Sequence, residues 1–120
     1  MKIRKEYTCP LEIVHDIIKG KWKSIIIFHL RYGSMSLSEL LKSIEGISQK
    51  MLLEQLKELM DFGIVDKHKS PGYPLHVEYF LTEVRGKELL QSVLIMQKIG
   101  IDYMLEHGME EELRRKGIRF

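Results

Sequence analysis

Three features of the sequence predict a mainly α-helical, α+β fold in a single domain, residues 1–120. Two short amphipathic segments follow each other at residues 36–62, a strand–turn–strand pattern occupies residues 63–81, and a long apolar segment runs from residue 82 to about 107. Apolar side chains recur at helical spacing in the first region and alternate with polar ones in the second. Together these features predict a winged helix-turn-helix with a two-stranded β wing and a long C-terminal helix.

The composition fits a soluble globular protein. Of the 120 residues, 44% are hydrophobic and 30% are charged, which are ordinary values. The net charge of +2 is too small to indicate nucleic-acid binding by itself, so that argument must come from where the basic residues lie. The single cysteine excludes an intrachain disulfide. Because no secretory signal or membrane-length apolar run is present, a cytoplasmic location without membrane contact is expected.

The first helix is expected to begin at Cys9, after a basic arm at residues 1–7. Pro10 then takes the first helical position, where its missing N–H costs nothing, and Glu12 lies near the positive end of the helix dipole. Apolar side chains cover more than one face of this helix, so we expect it to pack against two neighbours. They are Leu11, Ile13, Val14, Ile17 and Ile18.

Residues 22–32 are ambiguous, because their apolar run fits a buried strand as well as a buried helix. The next region is clearer. Ser36 and Glu39 form a capping box that begins a helix, Gly46 can take the left-handed conformation that ends it, and Ser48 can cap a second helix. The expected buried faces are Leu37, Leu40, Leu41 and Ile44 in the first helix, and Leu52, Leu56, Leu59 and Phe62 in the second. This periodicity fits a helix-turn-helix and an ordinary αα-hairpin equally well.

The following segment favours the helix-turn-helix. Residues 64–69 and 75–81 are rich in β-formers, and the cluster Ser70-Pro71-Gly72-Tyr73-Pro74 between them predicts a turn. The result is a β-hairpin with basic residues near its tip. A helix-turn-helix followed directly by such a hairpin is a winged helix.

The sequence also resembles the HxlR-type bacterial transcriptional regulators. The shared motifs are Cys9-Pro10, Gly20-Lys21-Trp22, Gly46-Ile47-Ser48-Gln49-Lys50-Met51-Leu52, Gly63-Ile64-Val65, Val77-Glu78-Tyr79 and Leu81-Thr82-Glu83. The resemblance implies that residues 22–32 form a central helix on which the helix-turn-helix packs. It also implies a short edge segment at residues 35–37. This chain departs from the family pattern at Ser36 and His76, where relatives often carry basic residues, and by one extra residue before Gly86.

We expect DNA contacts from the start of the second helix of the motif and from the wing. Gln49 can pair with adenine, and Lys50 can reach guanine or a phosphate. Leu53 can meet a thymine methyl or lie at the edge of the core. Basic wing residues such as His68 would contact phosphates, although the charge of His76 depends on pH. The predicted DNA-binding residues are Ser48, Gln49, Lys50, Leu53, Lys57, Lys67, Lys69 and His76. The alternative for each is an ordinary solvated surface.

Cys9 is the residue with the most distinctive chemistry. A helix N-terminus and the nearby Arg4 and Lys5 would favour its thiolate. Several HxlR-type regulators sense oxidants or electrophiles through a cysteine at this place, so the resemblance implies a redox-sensing role. The alternative is a small capping residue.

The last long helix is expected to begin with Thr82 as its cap, with Glu83 in the first turn. It is apolar on nearly all sides, more than one core can cover, so we expect a second copy of the chain to bury it. Its apolar residues are Leu89, Leu90, Val93, Leu94, Ile95, Met96, Ile99, Ile101, Tyr103, Met104 and Leu105. Residues 110–116 are expected to form a solvated, charged helix end.

Catalysis is the weakest interpretation. The five histidines do not lie at metal-ligand spacing from one another or from Cys9, and neither a phosphate-binding loop nor a nucleophile–base pair is present. No metal, cofactor or catalytic residue is therefore predicted. The predicted function is a sequence-specific transcriptional regulator that binds an inverted repeat in double-stranded DNA as a homodimer, with its effector unknown. The alternative is a winged helix that binds protein instead of DNA.

Overall fold

The computed structural model describes residues 3–72 and 75–120. Tyr73 and Pro74 of the predicted turn, and Met1 and Lys2 of the predicted arm, lie outside the described residues. The elements in chain order are α1 Leu11–Ile17, α2 Lys23–His29, β1 Met35–Ser36, α3 Leu37–Ser43, α4 Gln49–Asp61, β2 Val65–Ser70, β3 His76–Leu81, α5 Arg85–Glu106 and α6 Glu110–Arg115. The predicted mainly α-helical, α+β winged helix is confirmed.

The predicted caps of the helix-turn-helix are present. The Ser36 hydroxyl accepts a hydrogen bond from the Glu39 backbone N–H at 3.2 Å, and the Glu39 carboxylate accepts one from the Ser36 N–H at 3.0 Å. Hydrogen bonding to the carboxylate by the Ser36 backbone N–H, and then by the Ser36 side chain, holds the pKa of Glu39 below its usual value. Gly46 has a φ of +87°, and Ser48 accepts from the Met51 N–H at 3.1 Å. Both helices of the motif therefore begin where local chemistry predicts.

The core is centred on α2. Ile26 and Ile27 are fully buried, and so are four leucines of α3 and α4: Leu40, Leu52, Leu56 and Leu59. Helix α2 contacts α3 and α4 as well as α5, so it is covered on more than one side. Burial on several sides explains the unbroken apolar run, which was compatible with either a strand or a helix. The segment is a helix, as the family resemblance implied.

A buried ion pair joins α2 to α4. Lys23 is only 3% exposed, and its ammonium contacts the carboxylate of Glu58 on α4. An isolated ammonium would be costly at such a depth, so the carboxylate is needed there. The bond from Lys23 holds the pKa of Glu58 below its usual value. No pattern in the sequence predicted this pair.

The wing is an antiparallel hairpin extended by β1. Strand β3 lies between β1 and β2, and its register pairs Leu81 with Val65 and Tyr79 with both Lys67 and Met35. The predicted hairpin and the short edge segment are both confirmed. Val65, Tyr79 and Leu81 are buried, so the base of the wing belongs to the core.

Two predicted helix starts differ from the structure. Regular α1 begins at Leu11, although the Cys9 carbonyl already accepts from the Glu12 N–H at 3.0 Å. Helix α5 begins at Arg85 instead of after Thr82. The Thr82 hydroxyl donates to the Gly63 carbonyl at 2.7 Å and accepts from the Gly86 N–H at 2.8 Å. Thr82 therefore links the start of α5 to the base of the wing, and these two hydrogen bonds hold the start of α5 in place.

Gly86 is required at that junction. A Cβ atom on Gly86 would lie 2.3 Å from the Ile64 carbonyl oxygen, which is far inside contact distance. The close approach of α5 to the wing base thus depends on a residue without a side chain.

The prediction for the tail was incomplete. Gly108, with a φ of +70°, ends α5, and α6 follows as a separate helix whose Leu113 is fully buried. The Lys116 ammonium binds the carboxylate of Glu45, after α3, at 3.0 Å. The tail therefore packs against the body of the protein and is more than a solvated end.

Helix α5 keeps a large apolar surface exposed. Leu90 and Val93 are buried, whereas Ile95, Ile99 and Tyr103 are 62%, 63% and 59% exposed.

The described part of the chain has no helix with both the length and the apolar character needed to cross a membrane.

Candidate DNA interface

The exposed side of α4 carries most of the predicted helix contacts. Three of them, Ser48, Gln49 and Lys50, are exposed at its capped N-terminus. Lys57 is also exposed, about two turns further along the helix. Leu53 is 40% exposed. Lys50, Leu53 and Lys57 follow the i, i+3, i+7 spacing that places residues on one helix face, opposite the buried leucines. Of the two alternatives for Leu53, the structure favours a surface position.

The predicted wing residues divide between two faces of the hairpin. Lys67 and Lys69 lie opposite Tyr79 and Val77, whereas His76 lies opposite Ser70. Because alternate residues of a strand point to opposite sides, the two lysines share one face and His76 lies on the other. Lys67, Lys69 and His76 are all exposed, but they do not form one continuous basic surface.

The face with His76 is a polar network centred on Glu78. His76 Nε2 lies 2.8 Å from Glu78 Oε2, the Ser34 hydroxyl donates to Glu78 Oε1, and His68 lies directly opposite Glu78 in the sheet. The hydrogen bond from Ser34, and then that from His76, hold the pKa of Glu78 below its usual value. His76 therefore has a carboxylate partner, which the sequence did not reveal because it depends on strand register.

The surroundings of Cys9 differ from those expected. The cysteine is exposed, but Arg4 is engaged by Asp16 at 2.8 Å and by Glu12 at 3.8 Å. The Glu12 carboxylate also accepts the Cys9 backbone N–H at 2.8 Å. The expected cation beside Cys9 is thus paired with carboxylates.

A metal centre is not visible in the part of the chain that the structure describes. Across residues 3–72 and 75–120, no three His, Cys, Asp or Glu side chains come together in a way that could hold an ion.

The sequence is similar to known families and proteins. The family described as HxlR-like helix-turn-helix matches residues 17–108. MalR of Fusobacterium mortiferum, a protein provisionally assigned as regulatory, is 38% identical over 81% of this chain and 92% of its own length. YdeP of Bacillus subtilis, an uncharacterized HTH-type transcriptional regulator, is 40% identical over 79% of this chain and 73% of its own length.

Solved structures agree in fold. The redox regulator HypR in its reduced form is 38% identical with a TM-score of 0.74, over 78% of this chain and 92% of that chain. The reduced form of the transcriptional regulator YodB from B. subtilis is 36% identical with a TM-score of 0.68, over 77% of this chain and 90% of that chain. This chain therefore belongs to the HxlR family of winged helix-turn-helix, DNA-binding transcriptional regulators.

Proposed function

We propose that the protein binds an inverted-repeat operator as a homodimer in the cytoplasm, with α4 in the major groove and the wing on the flanking backbone. The observation that carries this proposal is the exposed face of α4, where a capped N-terminus presents Gln49 and Lys50 while the leucines behind it are fully buried. In helix-turn-helix proteins the N-terminal residues of this helix contact base edges.

The wing contributes differently from its two faces. Lys67 and Lys69 present permanent charges for phosphate contacts. His76 stays on the opposite face with Glu78, so we assign it a smaller share of DNA affinity than the lysines. This division predicts that the lysines set most of the salt dependence of the wing.

Dimerisation follows from the apolar stripe of α5. Ile95, Ile99 and Tyr103 recur every four residues and are each more than half exposed. A two-fold axis beside this stripe would bury it against its own copy and place two α4 helices for two half-sites. Half-sites would then lie about 10 bp apart or a multiple of that, in inverted orientation.

A mobility-shift assay on the DNA beside its own gene, at two salt concentrations, tests the contacts. Lys50→Ala should weaken binding, and if Lys50 contacts a phosphate the log–log salt slope should also fall by about one. Gln49→Ala should relax base preference at one position per half-site, at a cost of about 1–3 kcal/mol. Lys87→Ala removes the same charge from α5, outside both surfaces, and should leave the slope unchanged. Equal binding by all three variants would instead support the protein-binding alternative.

A redox response through Cys9 is a second candidate, favoured by its exposure and by the similarity to HypR. In the proposed reaction, diamide takes up two hydrogens and becomes a hydrazine while two Cys9 thiols of a dimer form one intersubunit disulfide. DNA affinity should then change in the wild type and not in Cys9→Ser. Identical responses of the two proteins to diamide would leave Cys9 as a residue of the α1 turn only.

A further inference from the structure

A wide cleft separates the winged helix from the C-terminal helices. It has a volume of about 1350 Å³. One wall is α2 with the residues on either side of it, another is the end of α3, and the others are α5 and the segment after α6. Ligand sites commonly occupy 300–1,000 Å³, so the cleft has room for a small molecule in one part of it.

Flat aromatic surfaces line the cleft on the α2 side. Trp22, Phe28 and Tyr32 all contribute to it, and Tyr32 is 89% exposed. Arg31 lies over two of these rings, with its guanidinium carbon 3.8 Å from the centre of Phe28 and 4.3 Å from that of Tyr32. The Lys21 ammonium lies 4.5 Å from the centre of Trp22. The cleft thus combines ring faces with cations held beside them.

The charge of the lining is strongly positive. Lys21, Arg31, Lys116 and Arg119 line the cleft, whereas Glu45 is the one carboxylate among its described lining residues. Lys116 binds Glu45 at 3.0 Å, and this bond holds the pKa of Glu45 below its usual value. No described carboxylate forms an ion pair with Lys21, Arg31 or Arg119. Arg31 Nη1 donates to the Phe28 carbonyl at 2.9 Å, and the other N–H groups of its guanidinium can meet an incoming anion.

We propose that this cleft binds a flat organic anion, such as an aromatic carboxylate, whose ring lies on the Trp22–Phe28 side. The anionic group is held by Arg31. Arginine suits this role because its planar fork can pair with a carboxylate in two places and still stack on a ring. The proposal does not depend on DNA binding, and it is tested on the protein alone.

Trp22 provides a local reporter, since the chain contains one tryptophan. In the intact protein, 2-naphthoate should shift the indole N–H resonance of Trp22 in a saturable manner. Two matched probes separate the contributions: 2-naphthalenemethanol keeps the rings without the charge, and cyclohexanecarboxylate keeps the charge without the flat ring. Both should bind at least several-fold more weakly than 2-naphthoate.

Variants locate the anion. Arg31→Gln should weaken 2-naphthoate binding by about fivefold, the loss expected for one solvent-accessible ion pair. Lys69→Gln removes the same charge from the distant wing and should have no effect. Arg31→Lys keeps the charge but not the planar stacking, so it should bind with intermediate affinity if it remains folded. The proposal is overturned if the Trp22 signal does not saturate at millimolar 2-naphthoate, if the neutral probe binds equally well, or if Lys69→Gln weakens binding as much as Arg31→Gln.

Discussion

The helix-turn-helix and α5 are both rich in apolar side chains, but only the first buries them within one chain. Leu40, Leu52, Leu56 and Leu59 are fully buried, whereas Ile99 in α5 is 63% exposed. The helix-turn-helix has α2 behind it. In the described part of the chain, Ile95, Ile99 and Tyr103 on the outer side of α5 are each more than half exposed. The helix-turn-helix is therefore complete within one chain, whereas the apolar stripe of α5 would be buried only in the proposed homodimer.

The largest effect on stability should come from shortening a buried leucine of α4, on the side opposite its exposed face. Leu56→Ala leaves a cavity in a fully buried site, so the free energy of unfolding should fall by about 2–5 kcal/mol. Leu53→Ala, the same change on the exposed face of the same helix, should cost much less. Urea denaturation at a fixed protein concentration measures both variants, since the proposed dimerisation would make stability depend on concentration. Similar losses for the two leucines would show that the helix-turn-helix does not have the buried and exposed faces described.

The second prediction tests the other half of the comparison. Ile99→Glu places a charge in the exposed stripe of α5, where a partner would have to bury it. Sedimentation should show a wild-type dimer and a variant monomer at micromolar concentration, and operator affinity should fall in the variant. Lys87→Gln serves as a control because it changes the charge on an exposed position of the same helix, about 120° around the axis from Ile99 at the centre of the stripe. A monomeric wild type would contradict the dimer.

The same contrast explains how far the sequence could predict the structure. Ser36, Glu39, Gly46 and Ser48 act on backbone groups within a few residues, so their roles are visible in the local sequence. Helix α2 lacked a periodic signal because it packs on more than one side. Its assignment came from the family resemblance.

Contacts between distant segments could not be predicted. The Lys23–Glu58 pair, and the Ser34–Glu78 bond of the wing, depend on how helices and strands meet. Leu113 is an isolated apolar residue in a charged segment, so no pattern showed that it is buried. The division of the wing lysines and His76 between two faces also follows only from the register of β2 and β3.

The smallest effect concerns His29, at the C-terminus of α2 and on the wall of the cleft. Burial, and then the charge of Arg31, lower the pKa of His29 below its usual value. In the unfolded chain the same imidazole titrates near pH 6.5. Between its folded pKa and about pH 6.5 the unfolded state therefore binds more protons, and stability rises with pH in that window. The free energy of unfolding should decrease as the pH falls below about 6.5, and it should level off once His29 is protonated in the folded protein.

His29→Gln should flatten this part of the profile, because the neutral side chain cannot take up a proton. The carboxyls of Glu39, Glu45, Glu58 and Glu78 have lowered pKa values, so their contributions to stability are lost only at more acidic pH and do not overlap the window. Urea denaturation at several pH values between 7 and 5 supplies the measurement. If the variant keeps the full wild-type slope there, protonation of His29 is not its source. The charge of Arg31 is the second cause of the lowered pKa of His29, after burial. Arg31→Gln should therefore raise the folded pKa of His29 part of the way, so that the pH window in which stability changes becomes narrower but remains.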